Sequence, residues 1–164
     1  MLRVLSLALL AAAAVAQQAQ KAHVHGSASL DLAIEGAAVT ALFEAPAGAL
    51  MGFEHAAKTP AEIKQRDEAL AKLKAGFGGM VLLPAAARCV WKPVQAGVHV
   101  HGAHADVEAE FTAACSGPLN RGEIAFAFSK VFPGIREVKV QLIGPGRQTG
   151  AVIKQDQGTV KLAP

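Results

Sequence analysis

The sequence predicts an α+β fold, a mainly antiparallel sheet of hairpins with one principal helix packed on one face. Three observations predict it. Residues 23–35 alternate polar and apolar side chains with a period of two, and residues 104–111 do so again. Between them, Thr59-Pro60-Ala61-Glu62 carries a complete helix-start signal. A period of two belongs to a strand with one wet and one dry face. A capping threonine, a proline at the first helical position and a glutamate three residues after the cap belong to a helix.

Taken in order, the chain opens with the basic Met1-Leu2-Arg3 and an apolar run from Val4 to Ala16. That run is too short to span a membrane, which takes ~20 residues. It ends in Ala14-Val15-Ala16, a small-residue pattern that signal peptidase accepts. Residues 1–16 therefore read as a cleaved secretory signal and 17–164 as a single exported domain. No cysteine stands near the cleavage point, so no stable membrane anchor is expected.

In the first alternating segment His23, His25, Ser27, Ser29, Asp31, Ala33 and Glu35 share one face, and Val24, Gly26, Ala28, Leu30, Leu32 and Ile34 the other. Glu35-Gly36-Ala37 is a turn, and Val39–Glu44 returns as a second strand. Pro46 and Gly48 end that strand, and a loop passes through Gly52-Phe53-Glu54-His55. The helix from Thr59 carries Ile63, Leu70, Leu73 and Phe77 as its apolar stripe, and the glycines around Phe77 are expected to stop it. Met80–Leu83 is a short apolar run, Arg88–Val94 a strand and Gly97–Gly102 a connector. The second alternating strand sets His104, Asp106, Glu108 and Glu110 against Ala105, Val107, Ala109 and Phe111. Glu123–Val131 reads as a short helix or an irregular strand. Val138–Ile143, Gly150–Lys154 and Thr159–Leu162 read as three strands of a terminal meander. The glycine-rich stretch 144–150 lies between two of these strands, so it is a hairpin turn rather than a phosphate loop.

Composition narrows the function. Leu, Ile, Val and Phe supply 44 of 164 residues, above the ~20% floor that marks disorder, so one ordinary core is expected. The net charge of +3 comes without a run of Lys and Arg, and no nucleic-acid partner is implied. Export also bears on the two cysteines, Cys89 and Cys115. An oxidising compartment favours a disulfide between them; a pair of free thiols acting as soft metal ligands is the alternative.

The six histidines carry the chemistry. They fall at His23 and His25, at His55, and at His99, His101 and His104. In a strand, residues two apart leave the same face about 7 Å from each other, so an H-x-H pair offers two imidazoles to one ion. Were the two alternating strands neighbours, their wet faces would merge into one surface of nitrogen and oxygen donors. Imidazole with carboxylate suits Zn²⁺, with Cu²⁺ or Ni²⁺ as alternatives. The opposing reading is that H-x-H pairs on solvated strands are incidental, and that His55 is a buried histidine fixing its loop through a backbone carbonyl.

Several pieces in order carry a resemblance. They are His23-Val24-His25-Gly26 opening a strand, Gly52-Phe53-Glu54-His55, Ala87-Arg88-Cys89, the His104-Ala105-Asp106 strand leading to Cys115, and Phe132-Pro133-Gly134-Ile135. To these are added Val140-Gln141 and Gln148. This order resembles the zinc-regulated periplasmic (ZrgA-like) family of Gram-negative bacteria. The resemblance implies a periplasmic zinc-binding protein linked to a zinc ABC importer. Carried over position by position, it implies His23, His25 and His104 as core ligands, and Asp106, His55 and Glu54 as a fourth ligand or as groups that orient the imidazoles. Members often carry a long His/Asp/Glu-rich loop between the cysteines; here it is reduced to residues 99–106, with His99 and His101 expected as a mobile capture arm.

Zinc capture is thus the leading expectation. A non-catalytic interaction module with incidental histidines is one alternative. A zinc-dependent hydrolase, which would need three ligands, an open water position and Glu54 as base, is the other. No catalytic motif supports an enzyme.

Overall fold

The first alternation becomes β1 (Ser27–Glu35), which buries Ala28, Leu30, Leu32 and Ile34 on one side. The computed structural model describes residues 25–162. The expected signal over 1–16 lies outside them, as does His23, the expected first residue of the strand. β1 starts later than the alternation suggests because Gly26 turns the chain at φ +80°, a left-handed conformation that favours glycine.

β2 (Ala38–Pro46) returns antiparallel along β1, with Val39 opposite Ile34 and Glu44 opposite Ser29. Where the sequence suggests only a strand end, a short helix follows, α1 (Ala47–Met51). The helix start at Thr59 forms in full in α2 (Pro60–Met80). The Glu62 N–H donates to Thr59 Oγ1 at 3.2 Å, and the Glu62 carboxylate accepts from the Thr59 N–H at 2.9 Å.

Two features of α2 correct the sequence reading. Its buried residues are Ala69, Leu73, Phe77 and Met80, whereas Ile63 is 39% exposed. The glycines at 76, 78 and 79 do not stop the helix, which runs on to Met80. A Cβ on Gly76 would lie 3.2 Å from Val131, and one on Gly78 would lie 3.3 Å from the Trp91 ring. These glycines thin the helix so that neighbours can approach, which offsets a helix-propensity cost of about 1 kcal/mol each.

After β3 (Val81–Leu82) come β4 (Cys89–His101) and β5 (His104–Cys115), a long hairpin that turns at Gly102-Ala103. The connector expected over Gly97–Gly102 is therefore strand as far as His101. β4 is an edge strand paired with β5 up to His101 opposite His104, and an edge tolerates the glycine and the bulge between Pro93 and Gln95. At the foot of the hairpin Cys89 stands opposite Cys115, and the two form a disulfide.

The next segment is both strand and helix, β6 (Glu123–Phe126) then α3 (Phe128–Val131). β7 (Glu137–Gly144) and β8 (Arg147–Lys154) form a hairpin around Pro145-Gly146. β9 (Thr159–Lys161) leaves the expected meander and pairs with β6, so that β3, β6 and β9 make a separate three-stranded sheet. The main sheet has six strands in the order β4-β5-β2-β1-β7-β8. All its pairs are antiparallel except β1 with β7. Consequently β2 stands between the two alternating strands, which are not direct neighbours; their polar faces share one side of the sheet, with Ser29 and Asp31 separated from Glu108 and Glu110 by Glu44 of β2.

α2 packs on the dry face of this sheet. Phe77 stacks on Phe111 of β5, with Phe43 of β2 and Trp91 of β4 set edge-on to it. Phe128 stacks on Phe43, and the Trp91 Nε1–H donates to the Val81 carbonyl at 3.1 Å. Full burial of such side chains stabilises by about 1.5–3 kcal/mol each, which explains how a chain rich in alanine still holds one core.

Candidate metal centre

Three segments distant in sequence meet at one end of the main sheet. The first is His25-Gly26, just before β1. The Gly26 carbonyl accepts the backbone N–H groups of Arg136 and Glu137 at 2.8 and 3.0 Å, which ties this segment to the start of β7. The second is the α1 turn with the loop that follows it. Gly52 closes α1 by donating its N–H to Gly48 O at 3.0 Å, and the Gln65 side chain donates from α2 to the Met51 carbonyl at 2.5 Å. The third is the start of β5, where Asp106 pairs with Pro46 at the end of β2.

Glu54 links them. Its Oε1 lies 2.9 Å from His25 Nδ1 and its Oε2 lies 3.9 Å from His104 Nδ1. The carboxylate is 22% exposed, while the two imidazole side chains are 84% and 62% exposed. A half-sheltered acid thus holds two accessible rings at one place. Room for it depends on Gly48, since a Cβ there would lie 2.8 Å from both Cγ and Oε1 of Glu54. A cleft of about 490 Å³ opens beside the cluster, walled by His25, Glu54, Gly48, Gly134 and Arg136.

Asp106 is the one charged side chain that is buried among the described residues, at 4% exposure. It follows His104 by two positions on β5 and stands opposite His99 of β4. His101 stands opposite His104 at the tip of the same hairpin. His99 and His101 therefore belong to a strand rather than to a free arm, and His99 Nε2 lies 3.6 Å from Glu108 Oε2.

His55 points elsewhere. Its Nδ1–H donates to the Ala56 carbonyl at 3.0 Å, its Nε2 lies 3.8 Å from Glu62, and its ring packs on Phe53. The backbone-carbonyl bond weighed for it is present, but on an exposed ring. The Glu62 carboxyl is held below its ordinary value chiefly by the Thr59 and Lys58 backbone N–H groups, with His55 a smaller cause.

The structure thus brings together His25, Glu54 and His104, keeps Asp106, His99 and His101 on the adjoining hairpin, and turns His55 away. Among the described residues, no three His, Cys, Asp or Glu side chains stand close enough to close on one ion. The contacts at Glu54 are pairwise, and the second is long. Two imidazoles and a carboxylate are nonetheless a donor set that Zn²⁺ accepts. Sequence reasoning missed the part played by Gly48. A glycine inside the helical turn Ala47-Gly48-Ala49-Leu50 was the available sign of a close approach.

These features define a class, a small disulfide-bridged α+β domain that displays an imidazole–carboxylate cluster at one end of its main sheet. The model of the ZrgA family, described as a zinc uptake protein, matches residues 22–162. The chain belongs to that family, whose description is of zinc uptake and not of a catalysed reaction. No curated protein matches the chain. Among the described residues no helix is long and apolar enough to cross a membrane.

Proposed function

We propose that this protein captures Zn²⁺ in the periplasm and passes it by ligand exchange to a zinc ABC importer. The observation that carries the reading is the Glu54 carboxylate set between His25 and His104. An ion held at Glu54 would take the Nδ1 atoms of His25 and His104, with side-chain rotation bringing the three groups together. His25, His104 and Glu54 are then the principal ligands. His23, two residues before His25 on a segment outside the described residues, supplies a third imidazole. Asp106, two positions beyond His104, orients or completes the set. His99 and His101 form an outer station along the hairpin, and His55 stays outside the site. The exposure of the imidazoles supports a site built for exchange, because a closed four-ligand shell would retain its ion.

The family assignment and the leader-like start of the chain also support this reading. The test is a zinc titration of residues 17–164 as wild type, His25→Ala and His104→Ala, with Cu²⁺ and Ni²⁺ titrated in parallel. Each variant should lose at least tenfold in zinc affinity. Unchanged affinity and stoichiometry in both would overturn the assignment.

A further inference from the structure

At the other end of the main sheet lies a cavity of about 800 Å³, within the range of small-molecule sites. The β1–β2 turn at Gly36-Ala37, the β7–β8 turn at Pro145-Gly146 and the segment Ser116–Asn120 enclose it. Ile34, Leu119 and Leu162 make its walls apolar, and among the described residues no acidic side chain lines it. β1 separates it from the Glu54 cluster by roughly 30 Å, from nine residues at ~3.3 Å each.

Arg147 also lines this cavity. Along β8, Arg147, Thr149, Ala151 and Ile153 share one face, and Ile153 is buried in the core. Alternation therefore sends the Arg147 side chain to the inner side of the sheet. Its Nη1 is buried and has no hydrogen-bond partner among the described residues. A guanidinium nitrogen shielded from water and left unpaired is costly, and folded proteins supply such groups with a partner.

We infer that this cavity binds a medium-chain carboxylate, with the carboxyl group on the Arg147 guanidinium and the alkyl chain against Ile34, Leu119 and Leu162. The planar two-oxygen head matches the guanidinium fork. The apolar walls then take the chain, and a small hydrophilic anion would leave them unfilled. This site is independent of the zinc reading and stands or falls without it.

The test uses residues 17–164, purified free of lipid and titrated with decanoate, decanol or acetate while backbone amide resonances are followed by NMR. Decanoate should shift Gly36, Asn120 and Gly146 and leave Glu54 and His104 in place. It should bind at least tenfold more tightly than decanol or acetate. Arg147→Met should abolish that preference, and Arg147→Lys should restore part of it. Equal binding of decanoate and decanol, or shifts spread over the whole sheet, would overturn the inference. So would an acetate response as strong as that to decanoate. These comparisons use the wild-type chain and decide the matter even where Arg147→Met folds poorly.

Discussion

Replacing Gly48 by alanine should separate the geometry of the metal site from the stability of the fold. Gly48 lies inside α1 and is not among the residues with positive φ. Its backbone therefore accepts alanine, and helix propensity favours the change by up to about 1 kcal/mol. The new Cβ would meet Glu54 Cγ and Oε1 at 2.8 Å, well inside the ~3.5–4.0 Å at which non-bonded carbon atoms rest. Something must give by most of an ångström, and the free end of the Glu54 side chain gives more easily than backbone does. The 2.9 Å link to His25 then stretches past hydrogen-bonding distance. Loss of an orienting group alone lowers metal affinity by about 10–100-fold, about 1.4–2.8 kcal/mol, and displacing Glu54, itself a proposed ligand, should cost at least that. Isothermal titration with chelator-buffered zinc would measure the affinity, and calorimetric melting would measure stability. The expected result is weaker zinc binding with a melting temperature equal to or above wild type. Affinity within twofold of wild type would refute the reasoning, because a displaced Glu54 would then be irrelevant to the ion. A collapse in stability would refute it from the other side, by showing that backbone rather than carboxylate had moved.

Three further outcomes test the fold. Phe77 lies between Phe111, Phe43 and Trp91, so Phe77→Ala should cost about 3–5 kcal/mol in urea unfolding; a loss below about 1 kcal/mol would mean that the α2–sheet contact is not the centre of the core. Thr59→Ala should remove about 1 kcal/mol through the lost cap, and thermal melts should show it. The Glu62 carboxyl of the same capping box is held below its ordinary value by the Thr59 and Lys58 backbone N–H groups. Its contribution is therefore present at neutral pH and is lost as pH falls through and below that value. Melts of wild type and Glu62→Gln should accordingly converge in acid, and a constant difference at every pH would contradict the capping role.

What the sequence makes legible is set by the range of the interactions involved. The alternations in β1 and β5 show because each strand buries one face in the core, and the start of α2 shows because Thr59, Pro60 and Glu62 make a local motif. The glycines at 76 and 78 mislead because their purpose is to admit Val131 and Trp91, residues that no window along the helix contains. β9 misleads for the same reason, since its partner β6 lies more than thirty residues back. The candidate metal centre sits on the far side of this divide. His23, His25, Glu54 and His104 could each be picked out as donors from their residue types and spacing. The meeting of His25, Glu54 and His104 follows from the order β5-β2-β1, which interposes β2 and sends its continuation, α1, across the end of the sheet. His25 and His104 therefore meet not on the strand face suggested by H-x-H spacing but at a carboxylate on a connecting loop. A loop carboxylate can swing between hydrogen bond and metal without disturbing a strand register, whereas ligands confined to paired strands could not, and this favours exchange over storage as the task of the site.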